Sequence, residues 1–177
     1  MKYHIDWLQQ QTDAAYLFFW GHQPNKDGTI TKTCLSQWWP SGFKDDRVTY
    51  KTAEHYMMAC KAKLSNDMDA FKKIIDCTSP KDVKALGREI KNFDSDVWEI
   101  HKYQIVKKGN LLKFSQNESL KQFLIQTKNK ILTEASPVDA IWGIGLAEDS
   151  SKAKNPKEWR GLNLLGFALM EVRDEIK

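Results

Sequence analysis

Long apolar runs are missing from this 177-residue sequence: no stretch approaches the roughly 18 uninterrupted apolar residues of a membrane span, and the N-terminus has no basic segment leading into an apolar one. A cytosolic (cytoplasmic) protein with no membrane partner is expected. Cysteine is scarce and odd in number; Cys34, Cys60 and Cys77 show no C-x-x-C spacing and read as reduced thiols rather than a disulfide framework. The four histidines, His4, His22, His55 and His101, do not combine with them at zinc-finger spacing, and H-E-x-x-H does not occur, so neither a metal nor another cofactor is expected. Excess charge of one sign is lacking too. Lysine and arginine total 27 against 23 acidic residues, a net charge of +4 that permits an anionic ligand but lacks the strong field of a dedicated nucleic-acid binder. Without repeats, low-complexity tracts or a linker, the chain is expected to form one domain over 1–177, and no obligate protein partner is implied.

What is present is tryptophan, seven residues alongside eight Phe and five Tyr. So high a share suits either a core or a stacking surface. The aromatic run Y-L-F-F-W-G at 16–21 ends at glycine and reads as a buried strand, and the β-branched residues of 29–35 suggest a second. Residues 35–43 (L-S-Q-W-W-P-S-G-F) read as a Trp-rich loop, and 48–50 as a short strand. Helices are expected over 53–64 with Thr52 as N-cap, over 68–76, and from Pro80 to about Gly87 with Ser79 as N-cap. A long helix over 95–114 should bury Trp98, Ile105 and Leu112, with Gly109 weakening it. Another helix is expected at 118–128, a strand at 131–134, a Gly-punctuated turn at 137–145, and a last helix capped by Asn163 with Leu165, Leu169, Val172 and Ile176 inward. The sum is an α+β fold, mainly helical with a small β-sheet.

Within the 53–64 helix, about 100° per residue places Ala53, Tyr56, Met57, Cys60 and Leu64 on one core-facing band. Glu54 and Lys61 share an azimuth at its margin, about 10.5 Å apart along the axis. A carboxylate and an amine on such a border either line a cleft or sit on the surface as solvated charges. His55 projects away from the band and reads as a polar surface residue.

Six motifs occur in order: L-S-Q-W-W-P, Y-K-T-A-E-H-Y-M-M-A-C-K, L-G-R at 86–88, V-W-E-I-H-K at 97–102, L-T-E-A-S-P-V-D-A-I-W-G-I-G-L at 132–146 and W-R-G-L-N-L-L-G-F-A-L-M-E-V-R at 159–173. Together they resemble the NADAR family, also called YbiA-like, over about 18–173. The resemblance implies an N-glycosidase: some members split phosphoribosylamine intermediates of riboflavin synthesis, and others remove ADP-ribose from guanine. The implied partner is therefore a small ribosylamine phosphate or an ADP-ribosylated guanine, free or in single-stranded nucleic acid. A non-catalytic ADP-ribose-binding module is the alternative. Two departures stand out, Ser36-Gln37 where the family reads Ser-Asn, and Lys51 in place of a proline that would affect only the approach to the helix.

Breaking a ribosyl C–N bond builds positive charge on the sugar and negative charge on the departing nitrogen. Glu54 would supply the anion, with Asp139 as a second carboxylate on a loop that Gly143 and Gly145 keep open to ligand. Lys61 would engage C1 as a Schiff base or act electrostatically, and the resemblance makes Arg88 the phosphate-binding fork. Trp39, Trp98 and Trp142 are candidates for stacking on the base, Trp142 favoured by open space beside Gly143. Ser36 and Gln37 come with the family motif, and Asn163 either bonds ribose hydroxyls or caps its helix. The reading requires Glu54, Lys61 and Asp139 to share one cavity.

Overall fold

The computed structural model describes residues 1–177. The fold is α+β and mainly helical, with elements α1 (Ile5–Gln9), β1 (Tyr16–Phe19), β2 (Phe43–Asp45), β3 (Val48–Tyr50), α2 (Ala53–Leu64), α3 (Met68–Asp76), α4 (Pro80–Leu86), α5 (Ser95–Ser115), α6 (Glu118–Gln126), β4 (Ile131–Glu134) and α7 (Leu164–Glu175). The strands form two separate two-stranded sheets, not one. No helix is long and apolar enough to cross a membrane. The chain divides into two compact units, one of residues 1–36 with 118–177, the other of 37–117.

In the first unit β1 and β4 pair in parallel, Tyr16 opposite Ile131 and Phe19 opposite Glu134. Sequence marks both strands but not their pairing, because the connection between them runs through more than a hundred residues. Helix α7 packs on β4. Every residue from Leu164 to Arg173 is buried, so the inward face expected from periodicity is only part of a helix enclosed on all sides. Gly166 allows the approach, since a Cβ there would collide with the Leu132 carbonyl. The buried Arg173 guanidinium is met from within the unit: Nη1 donates to Thr127 Oγ1 and to the Lys130 carbonyl, both at 2.9 Å.

The strand expected at 29–35 is instead a 3-10 turn over Lys32–Leu35. Its amides close locally, Cys34 N to Thr31 O at 2.9 Å and Ser36 N to Thr33 O at 3.1 Å, and the Thr31 and Thr33 hydroxyls bond each other. Adjacent Cys34 and Leu35 are both buried, which the alternation of a strand does not give.

In the second unit β2 and β3 form an antiparallel hairpin, Phe43 opposite Tyr50, with Asp46 in the left-handed region at its turn. Rings of Phe43, Tyr50 and Tyr56 cluster with centroids 4.9 to 5.9 Å apart. Thr52 caps α2 as expected, its Oγ1 accepting from His55 N. Helices α3, α4 and α5 all pack against α2, so Glu54, His55 and Met58 are buried together with the expected Ala53, Tyr56 and Met57, while Leu64 lies exposed. Lys51 does more than shape the approach to α2, because Nζ donates to the carbonyls of Ile75, Asp76 and Cys77 and closes the end of α3.

Helix α5 departs furthest from its sequence pattern. Trp98, Ile105 and Leu112 are only half-buried, and the enclosed positions are Lys102, Val106, Gly109, Asn110, Lys113 and Phe114. Hydropathy points to the wrong side because two lysines and an asparagine occupy the inner one. Gly109 lies there for contact, since a Cβ would come within 2.7 Å of the Tyr56 ring. Gly109→Ala therefore sets a helix-propensity gain of about 1 kcal/mol against an overpacking cost of about 1–3 kcal/mol. The variant is expected to lose about 1 kcal/mol by urea unfolding, with Tm about 2–4 °C lower; a gain in stability would show that Tyr56 moves aside freely.

Candidate active site

Glu54 lies in the first turn of α2 and is 3% exposed, an interior carboxylate and not the border charge that spacing suggested. Its backbone N–H donates to the Gln37 carbonyl at 3.0 Å, tying the Trp-rich segment to the start of the helix. Gln37 is buried as well. Its Oε1 accepts from Asn110 Nδ2 of α5 at 2.8 Å, a contact that links two distant stretches of sequence.

Two turns further along α2, Lys61 is half-buried beside the loop that precedes α5. Nζ donates to the Gly87 carbonyl at 2.7 Å and lies 4.1 Å from the Phe93 ring centroid and 5.9 Å from that of Trp98. It makes no ion pair. Burial lowers its pKa from the ordinary lysine value. The niche, lined also by Leu64, Ser65, Asp94 and Val97, holds about 10 Å³, the space of one water. Arg88 follows the very glycine whose carbonyl holds Lys61; it is exposed, and its side chain is committed to no bond within the protein. Gly87 is itself required, because a Cβ there would strike Met58 Sδ.

The tryptophans divide. Trp39 is 5% exposed and belongs to the core, leaving no open face for a base, whereas Trp98 is half-buried as a wall of the Lys61 niche. Phe93, Gly87 and Asn110 were missed by sequence reasoning; an aromatic just before a capped helix start was the one signal for Phe93. His55 is not a surface residue. It is 1% exposed, with Nε2 3.1 Å from the Cys77 carbonyl and Nδ1 2.8 Å from Thr52 Oγ1, so Nε2 carries the proton and donates.

In the other unit, Asp139 organises its own turn. Oδ1 accepts from Ile141 N at 2.9 Å and Trp142 N at 2.8 Å, and the Asp139 carbonyl accepts from Gly145 N at 3.2 Å. The glycines of this turn do not keep space open. A Cβ on Gly143 would meet the carbonyls of Glu134 and Asp139, and one on Gly161 would strike the Gly143 carbonyl, so backbone fills the room beside half-buried Trp142. Gly145 has φ +66° and supplies the bend. Asn163 neither caps α7 with its side chain nor offers it to a ligand: it is fully buried, accepting at Oδ1 from Glu134 N and donating from Nδ2 to the Leu132 carbonyl, each at 3.0 Å. Ser36 closes the 3-10 turn through its amide.

The NADAR domain profile matches residues 18–177. The chain belongs to the NADAR family. It is 45% identical to N-glycosidase R617 of Acanthamoeba polyphaga mimivirus over 93% of this chain and 98% of that protein. It is 34% identical to the chloroplastic riboflavin biosynthesis protein PYRR of Zea mays over 74% of this chain and 20% of that one. Its fold matches the NMR structure of the E. coli protein YbiA with a TM-score of 0.69 and 25% identity, covering 95% and 88% of the two chains. This NADAR protein is thus an enzyme of the N-glycosidase class of glycosyl hydrolases.

Burial holds the His55 pKa below the ordinary histidine value, outweighing the Cys77 carbonyl that favours the charged ring. The folded state therefore binds fewer protons than the unfolded chain as pH falls below about 6.5, and the stability present above that pH is lost as the ring is forced to charge. His55→Gln, which keeps a donor toward Cys77, is expected to flatten this slope: urea midpoints at pH 7.5 and pH 5.0 should differ less in the variant than in the wild type. Equal differences would free His55 of the acid sensitivity.

Proposed function

We propose that the protein hydrolyses the C–N bond between a phosphorylated or ADP-linked ribose and a base nitrogen, with Lys61 as the nucleophile at C1. One observation carries this reading. The half-buried Lys61 amine donates to a neutral carbonyl and makes no ion pair, and burial lowers its pKa from the ordinary lysine value, so a larger share of it is neutral at a given pH than of an ordinary lysine.

In the proposed reaction the lone pair of the substrate nitrogen expels the ring oxygen, which takes up a proton, and C1 becomes an open-chain iminium carbon. Lys61 Nζ adds to C1. The base leaves with a proton delivered by a carboxylic acid, and C1 remains joined to Nζ as a protonated Schiff base. Water then adds to C1 and expels the amine, releasing ribose as its aldehyde and restoring Lys61. Glu54, buried at the start of the same helix, is the carboxylate assigned to proton transfer and to the cationic sugar. Arg88 is assigned to phosphate, since its uncommitted guanidinium follows the glycine that holds Lys61 and offers the bidentate fork. Trp98, a wall of the Lys61 niche, is the candidate for stacking on the base. A module that only bound ADP-ribose would have no use for an amine whose charged form burial disfavours.

Incubation with ADP-ribosylated guanosine and with the ribosylamine precursor of riboflavin, followed by chromatography, is expected to show release of the base from at least one. Borohydride added during turnover should leave a ribosyl adduct on Lys61 by peptide mass, absent in Lys61→Met; an adduct elsewhere, or none, removes the covalent role. Glu54→Gln is expected to lower kcat by about 10²–10⁴-fold with little change in Tm, and a folded, fully active variant would strike Glu54 from the mechanism.

A further inference from the structure

Beside the first turn of α2 lies a buried amide pair whose hydrogen bonding is incomplete in a directed way. Asn110 is 0% exposed on α5, and its Nδ2 donates twice, to the Val106 carbonyl at 2.9 Å and to Gln37 Oε1 at 2.8 Å. Both recipients are acceptors, so the Asn110 amide has one permissible orientation, and that orientation dictates the orientation of Gln37. What remains is a donor, Gln37 Nε2, and an acceptor, Asn110 Oδ1, each enclosed and each without a partner in the protein. A buried polar atom left so costs about 1–3 kcal/mol, and such atoms in a folded enzyme mark places where something else completes the bond. Gln37 is also tied by its carbonyl to Glu54 N, which sets the amide pair at the base of the proposed catalytic carboxylate.

We infer that Asn110 is a positioning residue: through Val106 it locks the Gln37 amide so that Nε2 is offered as a donor to a carbonyl oxygen of the departing base. The inference rests on the proposed N-glycosidase site. A fixed donor complements a ring carbonyl, as in a 6-oxopurine or a pyrimidinone, and mismatches an amino group at the same place. Negative charge grows on the base as the C–N bond breaks, so a donor fixed on its carbonyl binds more strongly in the transition state than in the ground state and raises kcat more than it lowers KM.

The test uses the full chain with two variants, Gln37→Met and Asn110→Leu, and their combination. Each single variant is expected to lower kcat about ten- to hundredfold on the substrate the wild type cleaves, with KM changed less than threefold, and the double variant should be no worse than Gln37→Met. Additive losses, or losses confined to KM or to Tm, would make Asn110 merely structural and overturn the inference while leaving the glycosidase reading intact. A second measurement does not depend on turnover. The Gln37 side-chain NH₂ resonances, identified by their absence in Gln37→Met, should shift when the wild type is titrated with GMP but not with AMP, and lose that response in Asn110→Leu. Unmoved resonances, or equal shifts with both nucleotides, would overturn the inference even in a protein for which no N-ribosyl substrate is cleaved, whereas a selective shift without turnover would support it and refute the proposed reaction instead.

Discussion

Enclosure of α2 is the constraint on which the second unit depends. A helix packed by α3, α4 and α5 has few positions that face water, so each polar side chain it carries needs an answer from inside the protein. His55 is met by Thr52 and the Cys77 carbonyl, and Tyr56 Oη donates to Asp45 Oδ2 at 2.9 Å, which also accepts from Lys108. Lys61 is met by the Gly87 carbonyl. These answers come from the hairpin, the end of α3 and the end of α4, which makes α2 the part against which the rest of the unit is registered. Its chemistry and its architecture are therefore hard to separate by sequence.

Electrostatic pairing and desolvation act in opposite directions on a lysine, and Lys61 shows which prevails. An adjacent carboxylate would favour the ammonium form and hold the pKa high, as Asp174 does for Lys2 and Asp45 for Lys108. Lys61 has aromatic faces and a carbonyl instead, and for it desolvation is the cause that acts. The ring faces favour a cation, by about 0.5–2 kcal/mol, and act against burial. The niche is too small for a sugar as it stands, and Phe93, an exposed side chain over the amine, is the wall with freedom to yield.

Local signals in the sequence were reliable where a short stretch settles its own geometry. Thr52, Ser79 with Pro80, and the runs at 16–19 and 131–134 act within a few residues, and the structure uses them as the pattern implied. Illegibility begins where burial comes from several sides. In α5 the enclosed face carries Lys102, Asn110 and Lys113, so apolar periodicity selected its half-buried side. The threonines of 29–33 look β-forming, yet their hydroxyls and amides bond locally and wind a 3-10 turn. Family motifs named Glu54, Lys61 and Arg88, but they carried no information on Phe93 or Asn110, which reach their places through tertiary packing.

Glycine in the 137–145 turn illustrates how one residue type supports opposite readings. A glycine next to a tryptophan leaves a gap only if nothing fills it, and here the Glu134, Asp139 and Gly143 carbonyls approach so closely that the missing Cβ atoms of Gly143 and Gly161 are a condition of folding. The consequence for Asp139 is a division of labour within one carboxylate. Oδ1 satisfies two backbone amides and fixes the turn, and the bonds of the turn leave Oδ2 unused. In the other unit Glu54 is fixed differently, by its backbone N–H on the Gln37 carbonyl and by burial of its side chain among α3, α4 and α5, so its place follows from tertiary packing and not from a turn.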